Sequence, residues 1–487
     1  MVRLASVLHI LGLVILIIAG LMLIPLGVSC LFADGAQLAF AASSAIALVL
    51  GLLMALGTRS QARNRELQVR DGFLLAALTW MVTPAVATLP LLWQIPGLSF
   101  TDAYFEAVSG LTATGATVLT KLDALPVSIN FWRTFMHWIG GMGVVVLTVA
   151  VLPLLGVGGS QAFKAETPGP MKDEKLTPRI TQTAKGLWVI YAFITAGCVT
   201  GLWLAGMPAM DALMHAFSIM GLGGFSSHDA SFGFFNSPAM EAVAIFFMLL
   251  AGINFATHFL FVTRRSFRVY RFDLEAQAFW WLMLGSVFLV AYFLWRENTY
   301  AEFLTALRFA AFNVVSVATT TGLVTTDYNQ WPMFAPVFMI FLSCFATCAG
   351  STGGGIKMVR AQLLLKQSYG ELRRLIHPRL QVVVKLNNQV VERSVLHSVL
   401  AFVFLYGATI ILLTLLMLFS GCDVVTALTA IVACVNNMGP GLNLVGPATT
   451  FAVLSDFQTW LCTLAMLLGR LELFTLLVLL SPEFWRH

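Results

Sequence analysis

Long apolar runs separated by short basic segments set the pattern of this chain. The first two runs, about 4–31 and 37–57, read as a helical hairpin. Each is near the roughly 20 residues that cross a bilayer as a helix. Beyond them, four intervals between basic segments (72–158, 184–262, 277–356 and 395–481) each hold more apolar length than two spans joined by a turn. In the first interval, spans near 73–93 and 131–155 enclose an extra apolar piece of half length, and the layout recurs in the other three.

The extra pieces align with one another. They read FTDAYFEAVSGLTATGATVL from Phe100, GMPAMDALMHAFSIMGLGGFSS from Gly206, ALRFAAFNVVSVATTTGLVTTDY from Ala306 and DVVTALTAIVACVNNMGPGLNL from Asp423. Superposed on Gly115, Gly224, Gly322 and Gly439, the first two share Asp-Ala upstream (Asp102-Ala103, Asp211-Ala212), and Ala310 and Ala427 occupy the alanine position in the others. The glycines lie 109, 98 and 117 residues apart, a loose internal repeat. Each unit starts and ends on the same side, so successive units are parallel and related by an axis along the membrane normal. The expected fold is all-α and integral to the membrane, with four pseudo-symmetric helix–pore loop–helix repeats around one pore and an N-terminal two-helix hairpin. That makes ten transmembrane spans and four re-entrant pore helices. The hairpin takes 1–70 and the repeats 71–160, 161–263, 264–380 and 381–487.

Composition agrees. Apolar residues make up 59% of 487 positions and charged residues 10%, where a soluble domain carries about 25% charged residues. Mean hydropathy is +0.86. The run after Arg3 is too long for a signal h-region and reads as a retained first helix. Of 28 lysines and arginines, 23 fall in the N-terminus, 58–70, 160–186, 262–272, 356–394 and the C-terminal tail. The positive-inside rule makes these segments and both termini cytoplasmic. Twelve of the 23 acids lie in the opposite-facing segments, so the outer rim is acidic. Seven scattered cysteines show no CxxC pair; Cys344 and Cys348 share a helix face without a histidine or carboxylate and read as packing residues.

Non-helical backbone at membrane depth is tolerated only where protein or a water-filled cavity satisfies it. Four such stretches on one axis would line a pore, and rings of carbonyls would replace the hydration of a monovalent cation without trapping it as a carboxylate would. The candidate ligand segments are Thr112-Ala113-Thr114-Gly115, Gly221-Leu222-Gly223-Gly224, Thr319-Thr320-Thr321-Gly322 and Asn436-Asn437-Met438-Gly439. None carries a carboxylate, which favours K+ or another large monovalent ion, Rb+ included, over a divalent one.

At SGLTATGATV, GGFSSHDAS, ATTTGL and NNMGPGL the chain resembles the Trk/Ktr/HKT family of cation transporters, in particular its bacterial TrkH/TrkG potassium-uptake branch. The resemblance covers nearly the whole chain. Ala113 and Gly221 stand where relatives more often carry Thr and Ala. It implies low-affinity-type K+ uptake across a bacterial inner membrane, a homodimer with a pore in each protomer, and a cytosolic TrkA-like nucleotide-binding ring as regulator. The basic segment 357–394 is a plausible contact for that ring.

A second anomaly lies in FLSCFATCAGSTGGGIKMVR. Gly350-Ser351-Thr352-Gly353-Gly354-Gly355 breaks a helix that should cross the membrane. It fails as a phosphate loop, because Ile356 separates Gly355 from Lys357 and no strand precedes it. A plain interhelix turn is one reading; the resemblance implies an intramembrane gating loop under the filter. Arg470 sits mid-span in the last helix, where a charge is costly unless paired or facing a cavity. It either pairs with a carboxylate such as Glu472 or, as the resemblance implies, faces the pore beside the loop and sets the closed state with Lys357. Arg133 and Arg308 lie nearer the outer boundary and read as anchors, His215 as packing. There is no Walker A, phosphorylation-type Asp or dinucleotide fingerprint, and the histidines are too dispersed for a membrane-embedded enzyme. Glu472 is the sole candidate intramembrane carboxylate, which argues weakly against the alternative of K+/H+ or K+/Na+ symport by alternating access. Contacts with membrane lipid are expected and with nucleic acid are not.

Overall fold

Two glycines close the N-terminal hairpin. A Cβ on Gly12 would lie 2.7 Å from the Ala55 nitrogen and one on Gly51 2.8 Å from the Leu16 side chain, so the backbones meet where neither residue has a side chain. The computed structural model describes residues 4–62, 68–146, 180–386 and 389–486. The hairpin's first leg is Leu4–Leu21 continued as Leu23–Phe32, and its second is Gln37–Ala62.

Four units of one design follow. Each has a helix running to one face, a short pore helix turning back toward the middle, an extended return and a second long leg. The pore helices are Phe100–Leu111, Ala209–Gly221, Phe303–Ala318 and Val424–Val435. At 12, 13, 16 and 12 residues they span about 18–24 Å, short of the roughly 30 Å hydrocarbon core. Ser99 and Asp423 start two of them by accepting the Asp102 and Thr426 backbone N–H groups. The aligned alanines Ala103, Ala212, Ala310 and Ala427 are all fully buried, which explains why that position is small in every unit.

Among the described residues six helices are long and apolar enough to cross a bilayer, or eight if two bent pairs each count as one crossing. The pairs are Pro238–Ala251 with Phe255–Arg264, bent by 94°, and Asp456–Arg470 with Phe474–Leu480, bent by 113°. The sequence-based total of ten also counts Val127–Val146, which carries Arg133 and His137, and the third unit's second leg, whose helix Phe334–Ser343 ends short of the glycine-rich break; Met358–Ile376, beyond the break, belongs to the basic segment 356–394. Positions 147–155 of the expected first-repeat span and 160–179 of the basic segment 160–186 lie outside the described residues. The strands Lys385–Leu386 and Gln389–Val390 pair antiparallel.

Adjacent units are stitched together above the pore helices. Arg308 pairs with Glu241 at 2.6 Å between units two and three. Asn443 donates its backbone N–H to Asn329 between three and four, and Phe451 donates its own to the Thr117 carbonyl between four and one. Between one and two, His228 Nδ1 lies 2.5 Å from Asp123 Oδ1 and its Nε2 3.5 Å from Asp211 Oδ1. The ring stacks on Phe234 at 3.7 Å between centroids. Partial burial opposes charge on His228, but hydrogen bonds and attraction from Asp211 and Asp123 outweigh it and raise the pKa above its ordinary value. A raised folded pKa stabilises fully below the unfolded value of about 6.5 and ceases to do so as pH climbs through the folded one. Purified wild-type protein should therefore lose more melting temperature between about pH 6 and pH 9 than His228→Gln does. Equal pH slopes in the two proteins would remove His228 from this seam.

Candidate ion-conduction site

The four glycines chosen from the sequence form a closed ring. A Cβ on Gly115 would lie 1.9 Å from the Gly223 carbonyl oxygen, one on Gly224 2.2 Å from that of Thr321, one on Gly322 2.1 Å from that of Met438 and one on Gly439 2.8 Å from that of Thr114. Each glycine thus abuts the carbonyl just before the next unit's glycine, and the circuit returns to its start. No other residue fits at these contacts.

The backbone of the four segments is the same. Gly115, Gly224, Gly322 and Gly439 have φ of +83°, +83°, +81° and +100°, and Ala113, Leu222, Thr320 and Asn437 have φ between +52° and +61°. The residue before each of these eight has negative φ, so φ alternates in sign along all four segments. A strand of uniform hand throws successive carbonyls to opposite faces; alternating hand turns them to one. The left-handed residues follow directly from how the pore helices end. Thr114, Gly223, Thr321 and Met438 donate backbone N–H groups to carbonyls five residues back, at 2.7–2.9 Å. Four helix C-termini, each carrying partial negative charge, therefore face the ring.

Side chains brace this backbone. Thr112 and Thr114 hydroxyls lie 2.7 Å apart and those of Thr319 and Thr321 2.8 Å apart. Asn436 accepts from the Tyr406 hydroxyl at 2.5 Å and donates to Ser343. Asn437 donates to Thr114 Oγ1 and the Met466 carbonyl. Main-chain carbonyls, with the unpartnered Oδ1 of Asn437, are left as the candidate ligands. Above the ring is a cavity of about 320 Å³, lined by Gly115, Gly224, Gly322 and Pro440 and walled by Arg133, His228 and Asp229.

Sequence reasoning missed how the climbing limbs are held. Glu106, His215 and Asn313 each stand nine residues before a ring glycine. Glu106 accepts from the Thr117 hydroxyl and the Val118 N–H. His215 Nε2 bonds Ser226 Oγ at 2.9 Å, so it braces as well as packs. Asn313 bonds both the hydroxyl and the N–H of Thr325, and in unit four Thr429 accepts from Leu442 N–H. Polar residues at one aligned position of apolar helices were the available signal. Arg133 is not a boundary anchor: it is fully buried and paired with Glu106 at 2.8 Å. Arg308, partly exposed, bonds Glu241 and Asn236.

The glycine-rich loop lies directly under the ring. Thr352 Oγ1 donates to the Met220 carbonyl and Gly354 N–H donates to Thr320 Oγ1, both at 3.0 Å. A Cβ on Gly354 would lie 1.9 Å from the Asn436 carbonyl oxygen and one on Gly353 3.1 Å from that of Thr319. Gly350 and Gly355 turn the chain at φ +71° and +80°, Ser351 bonds back to the Cys348 carbonyl, and Lys357 Nζ donates to the Gly353 carbonyl. Arg470 donates to the carbonyls of Thr352 and Gly140 at 2.9 and 3.0 Å, not to Glu472, which instead pairs with Arg360 at 3.0 Å. Beyond the loop remains a cavity of about 30 Å³ beside Lys357, Arg470 and Asn437, room for about one water.

Glu472 is also not the only intramembrane carboxylate. Glu106 is fully buried, and so is Glu275, whose Oε1 accepts the N–H groups of Ala349 and Val359 at 2.8 and 3.1 Å, one at each end of the loop. Both are held in fixed bonds. Cys344 and Cys348 are free thiols, and the described residues contain no group of three or more His, Cys, Asp or Glu arranged for a metal ion.

Residues 38–486 match the TrkH family, described as a cation transport protein. The chain is 44% identical to the Trk system potassium uptake protein TrkH of Salmonella typhimurium over 99% of each chain. It is 39% identical to the Trk system potassium uptake protein TrkG of Escherichia coli over 86% of each. The crystal structure of the potassium transporter TrkH from Vibrio parahaemolyticus superposes with a TM-score of 0.91 at 39% identity, covering 99% of this chain and 100% of that one. With the ring of four pore loops and matches that run from end to end, the chain belongs to the TrkH family of cation transport proteins.

Proposed function

We propose that this chain is a Trk-type potassium uptake protein that passes K+ through one pore per chain, with the carbonyls around Gly115, Gly224, Gly322 and Gly439 as its filter. The observation that carries the proposal is the closed circuit in which each glycine meets the carbonyl preceding the next one. Full-length relatives with potassium uptake in their names support the choice of ion. Main-chain oxygens with no carboxylate in the four segments suit a weakly held monovalent cation such as K+ or Rb+. Four helix C-termini supply negative potential without a fixed charge that would trap it.

The loop 350–357 acts as the gate in this proposal. It packs against the inner ends of three filter segments, and Arg470 both holds it and puts positive charge beneath the filter. Opening requires that loop to leave, a task suited to an external regulator. A cytosolic TrkA-like nucleotide-binding ring at the basic segment 357–394, acting on a homodimer in a bacterial inner membrane, fits that need. The division into a hairpin of 1–70 and repeats beginning at 71, 161, 264 and 381 belongs to the same proposal.

Two outcomes test it in liposomes loaded with purified protein. Gly322→Ser forces a side chain against the Met438 carbonyl at a positive φ, a strain of about 1–2 kcal/mol before any clash. K+/Na+ discrimination should fall about tenfold, read as the concentrations of K+ and Na+ that halve radioactive Rb+ uptake; unchanged competition in both Gly322→Ser and Gly115→Ser would refute the filter. Arg470→Ala removes two charge-assisted bonds of about 1.5–3 kcal/mol each, so Rb+ flux without any partner protein should rise about tenfold or more. Deletion of Gly350–Gly355 should do the same. Flux at the wild-type level in both variants would refute the gate.

A further inference from the structure

The four seams between filter segments are not built alike. Seam two–three is closed at filter level by Gly233 N–H on the Val324 carbonyl and Val324 N–H on Ser231 Oγ. Seam four–one is closed by Phe451 N–H on the Thr117 carbonyl, and seam three–four by Asn443 N–H on Asn329. These are neutral bonds with a backbone donor; seam four–one adds Asn437 Nδ2 on Thr114 Oγ1, and seam two–three the partly exposed pair of Arg308 with Glu241. Seam one–two also depends on a single buried cation. Arg133, on the returning helix of unit one, puts Nε 2.8 Å from Glu106 Oε1, Nη1 3.1 Å from the Ser226 carbonyl and Nη2 3.3 Å from Thr117 Oγ1. Its guanidinium lies 4.3 Å from the Phe225 ring centroid.

Thr117 stands two residues past Gly115, and Phe225 and Ser226 stand one and two past Gly224. One rigid planar fork therefore fixes the distance between two neighbouring filter segments just above the ring. Glu106 completes the link: it neutralises the cation and accepts from Thr117 and Val118 of segment one. Arginine suits this task because its donors have fixed relative directions and its face stacks on an aromatic ring, which lysine cannot reproduce. Where cavity size discriminates K+ from Na+, the carbonyl ring must resist shrinking, and on that mechanism what sets segment spacing also sets specificity.

We propose that Arg133 is a specificity-setting positioning residue: paired with Glu106, it holds filter segments one and two at the spacing that K+ needs, without itself contacting the ion. The proposal rests on the filter reading above. It assigns the four seams unequal weight, with seam one–two the one that rests on a fully buried ion pair.

The test compares Arg133→Gln, the double variant Glu106→Gln with Arg133→Gln, Phe225→Leu and the control Gly322→Ser, each in liposomes. The K+ and Na+ concentrations that halve radioactive Rb+ uptake give a ratio that does not depend on how many gates are open. Arg133→Gln strands a buried carboxylate and should melt well below wild type; the double variant removes both charges and should recover most of that loss. A merely structural role predicts that discrimination recovers along with stability. Positioning predicts that both variants keep a K+/Na+ ratio lowered about tenfold, the consequence of losing the charged tie to segment two. Phe225→Leu, which keeps both charges but loses the stack, should lower the ratio about twofold. A wild-type ratio in the double variant, alongside a lowered ratio in Gly322→Ser, overturns the proposal and leaves the filter intact. A wild-type ratio in all four overturns the filter reading and the proposal with it. If Arg133→Gln cannot be purified, the double variant and Phe225→Leu decide the question by the same ratios.

Discussion

A backbone that is neither helical nor hydrogen-bonded cannot face lipid, and the rest of this structure follows from that constraint. Four segments break the helical rule at membrane depth, so they must meet one another. They do so as a ring in which each glycine lies against the carbonyl preceding the next unit's glycine. Short pore helices deliver them, buried alanines let those helices pack closely, and polar side chains nine or ten residues before each glycine catch the returning chain. What remains unsatisfied is the set of carbonyls on the axis, and a cation that sheds its water is what such a set accommodates.

Buried charge is used here mainly as fastening. Glu275 ties both ends of the glycine-rich loop through two backbone N–H groups, Glu106 with Arg133 ties two filter segments, and Arg360 occupies Glu472. Arg470 differs in having carbonyls as its partners. Under the proposed function, a cation left without a neutralising anion beneath the ring would be a barrier to other cations as long as the loop stays in place.

Much of this was legible in the sequence, for a physical reason. Gly115, Gly224, Gly322 and Gly439 recur in register because each combines a left-handed backbone with a neighbouring carbonyl where a Cβ would stand, and a fourfold repeat multiplies a weak local signal. The N-terminal hairpin was legible from apolar length, the pore helices from half-length apolar pieces that align on four glycines, and the break at Gly350–Gly355 from its run of glycines. Pairings were not. Arg133 meets Glu106 from 27 positions away and Ser226 from 93, and Glu275 meets the loop from 74; no local pattern encodes such partners.

The central claim is that main-chain oxygens on one axis hold the permeating ion. The most direct measurement is the anomalous X-ray scattering of crystals in which Rb+ or Tl+ replaces K+. The account predicts a peak on the axis, ringed by the carbonyl oxygens of Thr114, Gly223, Thr321 and Met438. An axis free of density there, with the heavy cation instead beside Glu472 or another carboxylate, would contradict it.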